Sequence, residues 1–194
     1  FALMMKARSY NRRFFRQEHI PQPMVYAIPE TVTGYLVGAD AVFGAHMQEE
    51  EKKVCFDDLM YLVKLFENGK EYGSAMKSER ELDYQRLKSY VHDQTGGQLT
   101  METTEMLKQV ELLDRVIDAA AILSCKYDVV VTNPPYMAPT PKQIDFVSKN
   151  YPDSKADLCV VFIEKNLEML KSTGLLSMIT MHSWMFLSSY EKFR

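Results

Sequence analysis

Lys126-Tyr127-Asp128-Val129-Val130-Val131-Thr132-Asn133-Pro134-Pro135-Tyr136 is the stretch whose reading decides the fold. Val129 to Val131 is a β-branched run without a polar break, the composition of a strand buried on both faces in a parallel sheet. The run stops at two prolines. Neither has an N–H for a sheet ladder, and Pro134 turns Asn133 away from helical backbone angles. Asn133 is therefore expected at the carboxyl end of a buried strand, on a stiff backbone, with the Tyr136 ring two residues beyond Pro134. Open α/β sheets bind ligands just outside that end of their strands.

Toward the C-terminus, Met137 to Pro152 carries prolines at 139, 141 and 152, with Ile144, Phe146 and Val147 suited to a short helix. It reads either as a lid over the site or as an ordinary surface connection. Asp157 suits a helix N-cap, and Leu158 to Leu170 is apolar around much of a helical circumference. Gly174 reads as the helix stop and Leu175 to Thr180 as another buried strand. Strand, helix, strand at this spacing is a βαβ unit. The tail His182-Ser183-Trp184 then leaves at the same sheet edge as Asn133, and Ser188 with Glu191 opens a final helix.

Toward the N-terminus the pattern is helical. Met106, Val110, Leu113, Ile117 and Ala120 step by four, three, four and three along one face. Ser78 and Glu81 form a capping box for a helix carrying Leu82, Leu87 and Val91, which ends before Gly96-Gly97. Glu49-Glu50-Glu51 open a further helix with a Leu59, Leu62, Val63, Phe66 stripe and Gly69 at its end. Residues 49–124 are thus expected to be a packed helical insertion between two strands. Thr31 to Gln48 reads as a loop with a short apolar segment at Tyr35 to Val37. Met24 to Ile28, bounded by prolines, reads as a buried strand, and Phe1 to about Arg16 as a helix. Residues 1–48 and 125–194 would then be the two parts of one α/β core.

The chain has 194 residues and is 46% hydrophobic, enough for a globular domain with a sizeable core. A net charge of −3 is not that of a dedicated nucleic-acid binder. Lys6, Arg8, Arg12, Arg13 and Arg16 read as the solvated face of the first helix rather than as a phosphate-facing strip. Cys55, Cys125 and Cys159 are far apart and odd in number, which suggests reduced residues in a cytoplasmic setting. Neither they nor His19, His46, His92 and His182 show metal-ligand spacing, so no metal is expected. No apolar run is long enough to span a bilayer.

Asn133-Pro134-Pro135-Tyr136 resembles the catalytic motif of amino-group methyltransferases that use S-adenosylmethionine. The chemistry suits the residue types. An exocyclic amine on adenine is a poor nucleophile because its lone pair is delocalised into the ring. The Asn133 side-chain oxygen and the Pro134 carbonyl can each accept one amine N–H, which favours a pyramidal nitrogen. The Tyr136 ring can stack on a base flipped out of the duplex. Positioning and aimed dipoles then carry the catalysis.

Tyr127 to Arg194 resembles the catalytic half of bacterial adenine-specific DNA methyltransferases of phage-exclusion (BREX-type) systems and of fused type IIG restriction-modification enzymes. The resemblance rests on Tyr127–Met137, Asn150–Leu158 and His182–Glu191. It implies a partial Rossmann-like class I methyltransferase sheet and a cytoplasmic enzyme. It also implies S-adenosylmethionine as donor, double-stranded DNA as acceptor, and Asn133, Pro134 and Tyr136 at the target base. Acidic residues near strand tips in such sheets contact the cofactor's adenosine, which makes Glu30 a cofactor-binding candidate beside its reading as a solvated loop carboxylate. The family's glycine-rich cofactor turn and target-recognition domain have no counterpart in the sequence. The chain is therefore expected to be an internal piece of a longer enzyme, inactive alone. Two alternatives remain at this level: methylation of RNA guanine or of a protein glutamine, and a non-catalytic helical binding module.

Overall fold

The computed structural model describes Met5, Lys6, Ser9 and residues 24–32, 42–93 and 101–194, with side chains from 107 onward in the last segment. The expected first helix, its basic face, the Tyr35–Val37 segment and Gly96-Gly97 lie outside the described residues, apart from helical backbone at Met5, Lys6 and Ser9.

Helix α1, Glu49–Leu65, begins on three glutamates at its dipole's positive end and buries Cys55, Leu59, Leu62 and Val63. It does not stop at Gly69. The chain tightens into a 3-10 turn at Phe66–Asn68, then makes the short α2, Gly69–Tyr72, and a second 3-10 turn at Gly73–Ala75. Gly69 answers to packing rather than termination, because a Cβ there would collide with the Pro29 carbonyl.

Helix α3, Tyr84–His92, opens on Asp83, whose carboxylate accepts the Arg86 N–H at 2.9 Å. The expected capping box at Ser78 and Glu81 is corrected. The Ser78 hydroxyl is engaged by Arg80 N and O, at 3.2 and 2.8 Å, and the Tyr61 hydroxyl takes the Glu79 N–H at 2.8 Å. Those bonds hold the segment in a turn. Helix α4, Met101–Ser124, presents Val110, Leu113, Val116, Ile117, Ala119 and Ala120 to the interior. Helices α1, α3 and α4 share one core with Phe43, Phe66 and Met76.

Strand β1, Tyr127–Thr132, follows directly, then α5, Ile144–Asn150, and α6, Leu158–Glu168. Strand β2, Leu170–Met178, pairs with β1 in parallel. The fold is thus mixed helix and strand, with a βαβ connection around a small parallel sheet. A second core joins Ala75, Val147, Tyr151, Leu158 and Val161.

Several boundaries differ from expectation. Helix α6 ends at Glu168 because Met169 gives its carbonyl to Tyr127 N at 2.8 Å and the next residue enters the sheet. Gly174 lies inside β2, not at a helix end. Tyr127 pairs with Leu170 and Val129 with Leu175, so two steps along β1 match five along β2. Gly174 sits in that bulge, where a Cβ would stand 2.9 Å from the Tyr127 carbonyl.

Strand β1 is not buried on both faces. Val129 is 57% and Val131 72% exposed, as is Leu175 at 70% in β2, because the described helices cover only one side of the pair. Met24 to Ile28 is corrected more fully. It forms no strand, and Val25 is 92% exposed. Its neighbours Pro29 to Thr31 dock instead on α1 and α2, with Thr31 N donating to Phe66 O at 3.1 Å and Thr31 Oγ1 to Val63 O. The last expected helix is a 3-10 turn at Ser188–Tyr190. Among the described residues no helix is long and apolar enough to cross a membrane.

Candidate functional site

The turn after β1 is built from within. Pro134 is buried and anchors the chain, while Asn133, Pro135 and Tyr136 are exposed around it. The sheet supplies the frame. Ile179 N donates to Thr132 O at 3.4 Å, which holds the carboxyl ends of β1 and β2 side by side where Asn133 departs. Tyr136 folds back across this edge. Its hydroxyl stands 2.8 Å from Asn133 Oδ1 and 2.8 Å from the Ile179 carbonyl. The turn is thereby tied to both strands, and the Asn133 side chain faces solvent at the carboxyl edge.

The segment leading away from the turn is fastened rather than loose. Leu158 N, in the first turn of α6, donates to Met137 O at 2.9 Å. Thr140 N donates to Gln143 Oε1 at 2.9 Å, and Gln143 Nε2 donates to the Glu71 carbonyl. Phe146 stacks on Tyr72 with ring centres 4.1 Å apart, and the buried Tyr151 hydroxyl donates to Ala75 O at 2.6 Å. These contacts match an ordinary docked connection, not an open lid. Burial pushes the Tyr151 phenol far above its usual range, so it stays a donor. Asp157 caps α6 as expected, its carboxylate accepting Cys159 N–H at 2.8 Å. The buried Cys159 thiol is pushed up by burial and is unsuited to nucleophilic work.

The sequence reading did not anticipate Ile179, Met137 or Gln143 as supports of the turn. Ile179 and Met137 act through main-chain atoms, which leave no trace in residue type. The Glu30 carboxylate stands 2.8 Å from Lys70 Nζ at the start of α2. Lys70 in turn lines a cavity of about 180 Å³ that Pro135 also lines. Among the described residues no group of three or more His, Cys, Asp or Glu could hold a metal.

Residues 40–194, which include both strands and the Asn133 turn, match the protein family described as Eco57I restriction-modification methylase. The chain belongs to this family. The adenine-specific methyltransferase PglX of Lacticaseibacillus casei (strain Zhang) is 36% identical over 199 aligned positions, covering all of this chain and 16% of that protein. The adenine-specific methyltransferase BrxX of Escherichia coli O9:H4 (strain HS) is 36% identical over 139 positions, covering 70% of the chain and 11% of BrxX. The type II restriction enzyme and methyltransferase RM.Eco57I of Escherichia coli is 27% identical over 106 positions, covering 50% and 10%. The chain thus spans about a sixth or less of the curated relatives that it matches. Membership of the Eco57I family gives the exposed Asn-Pro-Pro-Tyr turn a setting in restriction-modification methylases.

Proposed function

We propose that the protein to which this chain belongs transfers a methyl group from S-adenosylmethionine to the N6 amine of adenine in double-stranded DNA, within a restriction-modification or phage-exclusion system. The observation that carries this reading is the placement of Asn133: exposed, at the carboxyl ends of two parallel strands, on a turn anchored by a buried proline. In this reading residues 125–194 belong to a class I methyltransferase sheet of Rossmann type, 49–124 to a helical insertion, and 1–48 to another part of the core. Further cofactor-binding and target-recognition parts belong to the same parent protein.

The chain's own residues account for the acceptor side. The Tyr136 hydroxyl has one proton and two neighbouring oxygens, Asn133 Oδ1 and Ile179 O. With the Tyr136 O–H donating to Ile179 O, the Asn133 amide can turn end for end. Its N–H then donates to Tyr136 Oη, and its oxygen is released to accept from an incoming amine. The Pro134 carbonyl is the second acceptor. Two aimed acceptors localise the amine's lone pair, and the half-exposed Tyr136 ring offers a face on which a flipped base stacks. S-adenosylmethionine, when bound, supplies a methyl on a sulfonium, reactive enough that no metal is called for. Glu30 is proposed to accept a hydroxyl of its adenosine, with Lys70 anchoring the carboxylate.

The test is methyl transfer by the full-length protein from labelled donor to duplex DNA, RNA and protein substrates. Label in N6-methyladenine of DNA, lost in Asn133→Ala, is the expected result. Label in RNA or in a protein amide, or none in DNA, overturns the proposal.

A further inference from the structure

A second cavity, of about 340 Å³, opens at the other edge of the sheet. Its lining includes Cys125, Lys126 and Met169, which immediately precede β1 and β2, so it lies at the amino ends of the strands, opposite Asn133. The remaining wall comes from Lys77 to Tyr84 before and at α3, from the end of α4, and from Lys165 and Glu168 on α6. The cavity therefore occupies the seam where the helical core meets the strand–helix–strand unit.

Its charge is unusual for a chain with a net charge of −3. Lys77, Lys126 and Lys165 all line it. Arg80 is also present but is drawn aside, 3.5 Å from Asp58 and stacked over the Tyr61 ring at 4.5 Å. Glu168 is shared by two of the lysines: its carboxylate pairs with Lys77, and its main-chain oxygen accepts from Lys126. The second carboxylate of the lining, Glu81, is exposed. Lys165 is the telling residue. It is only 4% exposed, and its ammonium donates to the neutral Leu123 carbonyl at 3.1 Å. Burial, opposed by Glu168 and reinforced by Lys77 and Lys126, pushes its pKa down to about 8. A buried ammonium beside two others is costly unless something negative joins them.

We propose that this cavity is a binding site for a small phosphate-class oxyanion, inorganic phosphate or a phosphomonoester, held among the ammonium groups of Lys77, Lys126 and Lys165. Each ammonium brings several N–H donors, and a phosphate brings enough acceptor oxygens to engage all three. Ser124 lines the same space, and its hydroxyl adds a neutral donor when it accepts from the Tyr84 hydroxyl, 2.8 Å away. The volume lies at the lower end of the range for small-ligand sites and suits a phosphomonoester. Occupancy would tie the helical core to α6 and to the amino ends of both strands.

Cys125 gives a direct readout in the full-length protein. It is an exposed free thiol on the cavity wall, whereas Cys55 and Cys159 are buried. Alkylation at Cys125 by neutral iodoacetamide, followed by peptide mapping, reports occupancy. A site with a Kd of about 1 mM gives about tenfold protection in about 10 mM phosphate, by mass action. Sodium chloride at matched ionic strength gives none. Lys165→Met and the exposed-site variant Lys126→Gln both remove the protection, and the second leaves the buried packing untouched. Adenosine monophosphate protecting at lower concentration than phosphate identifies a phosphomonoester as the better ligand. Equal alkylation rates in phosphate and chloride overturn the proposal. So does protection by duplex DNA without any response to phosphate, which would make the cavity a contact for the nucleic-acid backbone.

Discussion

Tyr136 Oη lies 2.8 Å from the Ile179 carbonyl, so a side chain of the turn after β1 is bonded to the residue that follows β2. The same oxygen lies 2.8 Å from Asn133 Oδ1. Orientation of the asparagine amide and stiffness of the sheet edge are therefore linked through one hydroxyl.

Asn133→Ala in the full-length enzyme is expected to lower methyl transfer by at least about a hundredfold, the scale for loss of an aimed polar group at a reacting centre. Affinity for S-adenosylmethionine stays nearly unchanged. Calorimetry beside single-turnover assays separates the two, and near-normal turnover would remove Asn133 from the proposed role.

Tyr136→Phe keeps the ring and deletes the hydroxyl. One partly exposed hydrogen bond contributes about 0.5–1.5 kcal/mol. The expected loss in kcat/KM is therefore roughly twofold to tenfold, far milder than for Asn133→Ala. Tyr136→Ala removes the stacking face as well and falls further. Equal losses in the two variants would show that the ring contributes nothing.

Gly174→Ala places a Cβ 2.9 Å from the Tyr127 carbonyl and 3.0 Å from Leu170 Cδ2. The carbonyl belongs to a paired strand and cannot retreat cheaply. A destabilisation of about 1–3 kcal/mol is expected from overpacking of this kind. Denaturant unfolding that shows no change would mean that the bulge yields.

Asp157→Ala deletes the cap on Cys159 N at the start of α6. The expected loss is about 1 kcal/mol, read as a lower Tm. Asp157→Asn restores most of it, since the amide oxygen can accept the same bond.

Lys165 predicts a pH dependence with a definite sign. Its pKa in the folded protein is about 8, pushed by burial below the ordinary lysine value of 10.5. Between those values the unfolded chain holds the proton more strongly, so folded stability rises as pH increases from about 8 toward 10.5. Below pH 8 the burial penalty is fully present. Relative to Lys165→Met, which cannot titrate, the wild type should gain on the order of 2–3 kcal/mol between pH 7 and about pH 10.5. Taking the difference cancels the tyrosines and cysteines that titrate in the same range. A flat difference would show that the ammonium is better solvated than its surroundings suggest.

The local chemistry of the site was legible in the sequence. Pro134 and Pro135 end the strand because they lack N–H groups, and Asp157 caps its helix because its carboxylate reaches a free N–H. Both follow from residue type alone. The lid reading of 137–152 was not decidable in this way, since the stacking of Phe146 on Tyr72 and the bond from Tyr151 to Ala75 join residues about 75 positions apart. Gly69 and Gly174 looked like helix stops in the sequence. Each is in fact a point where another backbone approaches, Pro29 in one case and Tyr127 in the other.

The sequence by itself determined a β-branched strand, the abrupt stop after it, and the asparagine at its end, because steric and hydrogen-bonding limits of single residues act at short range. Only the tertiary structure decided that Tyr136 reaches across to Ile179, that Val129 and Val131 have one open face, and that Lys77 and Lys126, from separate segments, converge on Glu168. Those outcomes depend on which distant segments share a surface, and no local preference of the chain encodes that.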